Sequence, residues 1–254
     1  MTYPHPSKSY KELLCTAGIT ESGDWVRLYP IDYRYRPANQ RFRKYQWIEV
    51  GLTLHGGGND NRKESRQPDL SSIRLLGEPL GTKDSWRERR NIIDRLPVHT
   101  KNELHDLYER ERISLGVIAP TRFEDVRVEK NNESWTPVQQ GVLDQFSLFE
   151  GRPKRLEKLP FKWSYRFTCA DSAKPHSAAI LDWELGALFL KERERLGSES
   201  EAVESVRQKY LELCSPKLET KLFMGTIFPR NTWVCIGVWR PPKIKPSFQQ
   251  ELDF

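Results

Sequence analysis

The chain has 254 residues, of which 37% are hydrophobic, 30% charged and 11% aromatic, and it carries a formal net charge of +6. That length carries a self-sufficient core, and eight Trp exclude the aromatic-poor composition of disordered chains. No apolar stretch approaches the ~20 residues of a membrane-spanning helix. The opening MTYPHPSKSY also lacks the apolar segment of a secretion signal, so a cytoplasmic protein without a membrane partner is expected.

The first third reads as strands. ELLCTAGI, WVRLYPI, YQWIEVGLTL and SIRLLGEPL are short β-rich runs separated by Gly, Pro and Asn/Asp signals. In WVRLYPI, Trp25, Arg27 and Tyr29 alternate with Val26 and Leu28, as on a strand with two differently used faces. The loop HGGGNDNRKESRQPD, residues 55–69, is long, Gly-rich and charged, as functional loops often are. Helices follow. Ser85 and Glu88 have capping-box spacing at the head of SWRERRNIIDRL, and Thr100 and Glu103 repeat it before KNELHDLYERER. SLGVIAP reads as a buried strand. Residues 129–158 are polar and irregular, with a short helix at VQQGVLDQF. The last third gives a strand at FKWSYRFTCA, a helix over HSAAILDWELGALFLKERERLG, a second helix over ESEAVESVRQKYLELC, and strands LFMGTIF and WVCIGVW joined by a turn at 229–231. The expected fold is α+β: a mixed or antiparallel sheet with several helices packed on it. It is read as one unit over 1–254, with a soft boundary near 129–158 between a β-rich N-terminal part and an α/β C-terminal part.

Cys15, Cys169, Cys214 and Cys235 are widely spaced and form no CxxC pair. A paired-cysteine zinc site is therefore not expected, and buried thiols in a reducing compartment are the economical reading. The P-loop, dinucleotide, G-x-S-x-G, H-E-x-x-H and kinase patterns are all missing, which argues against NTP-driven and serine-hydrolase chemistry.

Three constellations carry candidate chemistry. In the glycine-rich loop, Asp60 and Glu64 flank Arg62 beside Ser65. Those carboxylates suit a general base, a metal ligand or the stabiliser of a cationic transition state, and Arg62 suits a phosphate clamp; a solvated charged loop is the bland alternative. Further on come His176, Asp182 and Glu184. If the helix runs through them, Glu184 falls inside its apolar face, where a carboxylate must be paired or held protonated. A structural ion pair and a capping or surface histidine are the alternatives. Finally, basic and aromatic residues interleave in RYRPANQRFRKYQW, with Arg41, Arg43, Lys44 and Tyr45, and in GRPKRLEKLPFKWSYRF, with Arg152, Lys154 and Arg155. Basic side chains neutralise phosphates and aromatic faces stack bases; a strand with aromatics inward and arginines outward would give the same pattern.

Several segments together resemble a poorly characterised bacterial family, that of the bacteriophage replication inhibition DNA glycosylase. They are TYPHPSKSYKELLCTAGI, WVRLYPI, KYQWIEV, DNRKES, SLGVIAP, the YRFTC…H…DWE run and the closing FMGT…WVCIGVW. The chain departs from that pattern at Lys63, where the family has Pro, and at Ala-Lys-Pro-His176, where it has a fuller Cys-x-Gly-His. The resemblance implies excision of a modified base from double-stranded phage DNA, a defence activity, by an enzyme that flips its target out of the stack and activates water with a carboxylate. Asp60, Glu64, Asp182 and Glu184 are the acids on offer. Asp60 or Asp182 is taken as the catalytic group, with Glu184 as its partner and Arg62 as clamp. No cofactor, metal or obligate protein partner is expected on this reading. The alternatives are a nuclease gathering the same four acids around Mg²⁺ and a non-catalytic module that reads a modified base in nucleic acid.

Overall fold

The computed structural model describes residues 1–8, 11–54, 60–147, 153–227 and 231–244. Strands β1 (His5–Ser7), β2 (Lys11–Ile19), β3 (Trp25–Ile31), β4 (Trp47–Glu49), β5 (Leu52–Leu54), β6 (Ser65–Pro68) and β7 (Arg74–Leu76) precede helix α1 (Lys83–Ile93). Then come β8 (Val98–His99), α2 (Lys101–Glu111), β9 (Leu115–Ile118), β10 (Arg122–Lys130) and α3 (Pro137–Ser147). The last third runs β11 (Phe161–Cys169), β12 (Ser172–Ala179), α4 (Trp183–Leu196), α5 (Glu199–Glu212), β13 (Lys221–Ile227) and β14 (Thr232–Trp239).

The strands form sheets ordered β1-β2-β3-β6-β5, β10-β11-β12, β14-β13-β9-β8 and β4-β7. Among the named strands β3–β6 and β8–β9 pair in parallel and the others antiparallel, so the fold is α+β with mixed and antiparallel sheets, as the sequence predicts. No helix among the described residues is long and apolar enough to cross a membrane.

Period-2 alternation builds the main core. Trp163, Tyr165, Phe167 and Cys169 of β11 all turn inward. Over them pack α4 and α5, whose 3.6-residue period brings Leu185, Phe189, Ala202, Val206 and Tyr210 to one side. Leu185, Phe189 and Val206 each contribute roughly 1.5–3 kcal/mol when fully buried. A second core of Leu14, Leu28, Ile31, Phe42 and Ile73 lies under the first sheet, and Trp183 from the head of α4 packs against it. The two parts of the chain therefore meet at the start of α4. Gly186 makes a close approach possible there: a Cβ at that position would lie 2.4 Å from the Tyr3 ring.

The Thr100–Glu103 capping box forms as expected. The one at Ser85–Glu88 does not: Asp84, Ser85 and Trp86 adopt left-handed backbone inside α1, and the Glu88 carboxylate instead accepts the Gly81 N–H at 2.9 Å. YQWIEVGLTL divides into β4 and β5 around Gly51. The helix expected from residue 176 starts only at Trp183, because His176 to Ala179 pair with β11 as a strand. The Gly56–Gly58 stretch, Arg152 and the start of the 229–231 turn lie outside the described residues.

Candidate functional site

The head of α4 is fixed from three sides. Leu181 donates its N–H to the Cys235 carbonyl of β14 at 2.8 Å, and its own carbonyl accepts the Tyr3 N–H at 3.0 Å. Asp182 is the N-cap, accepting the Glu184 N–H at 3.1 Å. Asp182 is thus the buried acid and Glu184 the outward one, whereas the helical wheel places Glu184 inside the apolar face. Their side chains are 4% and 61% exposed. Between them lies Lys44, whose Nζ is 2.7 Å from Glu184 Oε2 and 3.8 Å from Asp182 Oδ2.

The electrostatics follow from that burial gradient. Burial lifts the Asp182 carboxyl above the usual carboxylate range, with Lys44 opposing. Burial works against the Lys44 ammonium, but the facing Asp182, Tyr45 and Glu184 outweigh it and hold the lysine charged. Beside Lys44, Tyr45 takes a positive φ of 64°, a strained setting for an aromatic residue. Its ring lies within 6.5 Å of the Trp86 ring and 6.2 Å of the Trp239 ring, with the Arg89 guanidinium 4.1 Å from its centroid. The Tyr45 hydroxyl is buried without a hydrogen-bond partner, and burial raises its pKa. The left-handed turn at 84–86 is what presents Trp86 to this cluster. Lys44 and Tyr45 on one hand, and Asp182 and Glu184 on the other, belonged to separate constellations in the sequence. Here they form one site in which Lys44, Tyr45 and Asp182 are shifted, a pattern enriched where proteins do chemistry.

One residue along from Glu184, Trp183 lines a groove of about 530 Å³ between α4, the N-terminal segment and residues 154–157. Arg34, Lys154, Arg155, Lys191 and Arg193 give it a cationic wall, tempered by Glu157 and Glu194. Three of these cations are already paired: Arg34 with Glu12, Arg155 with Asp144 and Arg193 with Glu157. Lys154 and Lys191 make no ion pair among the described residues. Behind Arg34 sits Glu12, a residue the sequence reading passed over. It is 3% exposed, lies 3.3 Å from Arg34, keeps Oε2 without a hydrogen-bond partner, and burial raises its pKa. A signal was present, since Glu12 shares the inward face of β2 with Leu14 and Thr16.

Asp60, Arg62 and Glu64 come together elsewhere, in a buried latch between the first sheet and β9/β13. Arg62 donates to both Asp60 oxygens, at 2.8 and 2.7 Å, and to the Thr226 carbonyl at 3.0 Å. Ser65 adds a hydroxyl bond to Asp60 at 3.0 Å. Glu64 accepts the Ser114 N–H and hydroxyl at 2.9 and 2.8 Å and the Leu115 N–H at 3.2 Å. Arg27 closes the network by donating to the Ser114 carbonyl at 2.8 Å. Burial opposes ionisation of Asp60, but the Arg62 and Ser65 hydrogen bonds win and bring its pKa down to about 2.

His176 lies on β12 against the Phe167 ring, apart from the acids just described. Arg41 donates to the Arg36 carbonyl at 2.6 Å, and Arg43 pairs with exposed Glu78.

Residues 1–95 match the family model of a domain of unknown function, DUF8758, and residues 97–253 match that of another, DUF8757. The two models meet just after α1. No curated protein and no solved structure matches the chain. With more than half of its length matched by the second model, the chain belongs to the DUF8757 family, a domain of unknown function.

Proposed function

We propose that the protein is a hydrolase acting on nucleic acid, most concretely a DNA glycosylase that removes a modified base from double-stranded phage DNA. The observation that carries this reading is that α4 bears both a cation-walled groove, lined by Trp183, and at its head the Lys44–Asp182–Glu184 cluster. Base excision needs a carboxylate that meets water and faces a cationic sugar in the transition state. Glu184 has the exposure for this role, and Lys44 pairs with it at 2.7 Å. Asp182 is a positioning residue: buried, it holds Lys44 from behind and fixes the first turn of α4. The role first given to Asp60 or Asp182 passes to Glu184, because the Asp60 oxygens are committed to Arg62 and Ser65 and Asp182 is buried. Along the groove, Lys154, Arg155 and Lys191 are placed for phosphates, and the Trp183 and Tyr3 rings offer faces on which a base can stack. The geometry gives less to a four-acid Mg²⁺ centre, since Asp60 and Glu64 bond to the latch while Asp182 and Glu184 bond to Lys44.

The test is incubation with glucosylated phage DNA and with unmodified DNA, without added divalent cation, followed by hot alkali. Alkali-dependent breaks confined to the modified DNA, and lost in Glu184→Gln, are the expected result. Cutting of both DNAs only when Mg²⁺ is supplied would make the protein a nuclease. Binding without any break under either condition would make it a reader of modified DNA.

A further inference from the structure

The β11–β12 hairpin carries a second cluster, separate from the acids and the groove. Cys169 ends β11, Asp171 lies in the tight turn, and His176 stands on β12 directly opposite Phe167. Cys169 pairs with Ser172 across the turn, and a register shift between Phe167 and Cys169 tightens the hairpin at this point. Residues opposite one another in an antiparallel pair share a face, so His176 lies on the inward side with Phe167 and Cys169. The Cys169 sulfur, an Asp171 oxygen and a His176 ring nitrogen all come within 4.8 Å of one another. In a tetrahedral zinc site, donor atoms sit roughly 3.3–3.7 Å apart. Closing the difference takes about 1 Å of side-chain movement, which the exposed Asp171 is free to supply.

One further observation points to a ligand. His176 Nε2 is buried and has no hydrogen-bond partner, a costly arrangement unless something is bound there. The Lys101 ammonium is turned aside and donates to the Ser177 carbonyl at 2.8 Å. One thiolate, one imidazole and one carboxylate are a borderline-soft donor set that suits Zn²⁺, with a position left for water.

We propose that Cys169, Asp171 and His176 form a binding site for a divalent transition metal, Zn²⁺ by donor chemistry, which cross-links the two strands of the β11–β12 hairpin at its turn. The sequence showed no paired-cysteine motif because one short hairpin supplies a single ligand of each kind.

The full-length chain, stripped of metal, is titrated with Co²⁺ and followed by absorption. The expected result is a saturable thiolate-to-metal charge-transfer band at one equivalent, displaced by Zn²⁺. Cys169→Ser loses the band, Cys214→Ser keeps it, and Asp171→Ala, in an exposed turn, weakens the apparent affinity by roughly tenfold or more. Absence of a saturable band in the wild type, its survival in Cys169→Ser, its loss in Cys214→Ser, or unchanged affinity in Asp171→Ala would each overturn the proposal. If Cys169→Ser does not fold, Asp171→Ala decides alone.

Discussion

The Asp60–Arg62–Glu64 latch and the Lys44–Asp182–Glu184 cluster are built from the same kinds of residue, two carboxylates around one cation, and they differ in what is left over. In the latch every carboxylate oxygen has a partner inside the protein, from Arg62, Ser65, Ser114 or Leu115. In the cluster, the Glu184 side chain reaches solvent and the buried Tyr45 hydroxyl has no partner. Burial and hydrogen bonding drive the acids in opposite directions, with Asp60 down to about 2 and Asp182 up. A satisfied network holds sheets together and has no valence to offer a substrate. An unsatisfied one destabilises the fold locally and persists where it does something else.

The sharpest way to break this contrast is Glu64→Ala. It would leave the Ser114 N–H and hydroxyl and the Leu115 N–H buried without an acceptor. The expected loss is about 3–5 kcal/mol, or a fall in Tm of roughly 10 °C, read by thermal or denaturant unfolding. A loss under 1 kcal/mol would mean that the latch is not structural. The counterpart is Glu184→Gln. Its expected cost in base excision is ~10²–10⁴-fold, with stability within about 0.5 kcal/mol of wild type because the side chain is exposed. If activity survives, the roles assigned to the two regions collapse.

The latch and the cluster also separate what a sequence displays from what it hides. Periodicity within a segment was enough for α5, where Ala202, Val206 and Tyr210 face the core, and for β11, where alternate aromatics turn inward. Thr100 and Glu103 are a local pair, and their box formed. The reading failed where a local pattern had two solutions. Apolar residues at 178–181 fit a helix face as well as a strand, and β11 decided for the strand by pairing with it. That moved the helix start to Trp183 and turned Glu184 outward, with Asp182 buried as the N-cap. Lys44 and Glu184 stand 140 positions apart, so no local rule joins them. Asp60, Arg62 and Glu64 did cluster as their spacing implied, but only the tertiary partners Ser114 and Thr226 reveal that they are saturated.

The contrast has a pH signature of smaller size. A carboxyl whose folded pKa is depressed adds stability above its unfolded value, and that stability is lost as pH falls through the folded one. For Asp60 the window runs from its ordinary 3.8 down to about 2, and the contribution is about 2 kcal/mol. Asp60→Asn should flatten that part of the acid limb, measured as urea-unfolding free energy from pH 5 to pH 2. Asp182 has the opposite sign: with a raised folded pKa, the stability it adds is lost as pH rises. Asp182→Asn keeps an N-cap side chain of equal quality, so its expected effect at neutral pH is neutral or slightly stabilising.

The smallest expected effect tests whether the groove belongs with the cluster. Lys154 lies in the groove wall and has no ion pair among the described residues, so Lys154→Ala should change stability by less than about 0.5 kcal/mol. If nucleic acid tracks the groove, each phosphate contact removed lowers the salt dependence of binding by about one unit of log K against log salt, irrespective of sequence. Arg155→Ala should do less, because Arg155 already pairs with Asp144 at 2.6 Å. The ordering matters more than either value. Lys154 above Arg155 in salt slope, with modified and unmodified DNA affected equally, makes the groove a backbone track that delivers substrate to Glu184. Equal slopes in wild type and Lys154→Ala would detach the groove from nucleic acid and leave the cluster at the head of α4 to act on something smaller.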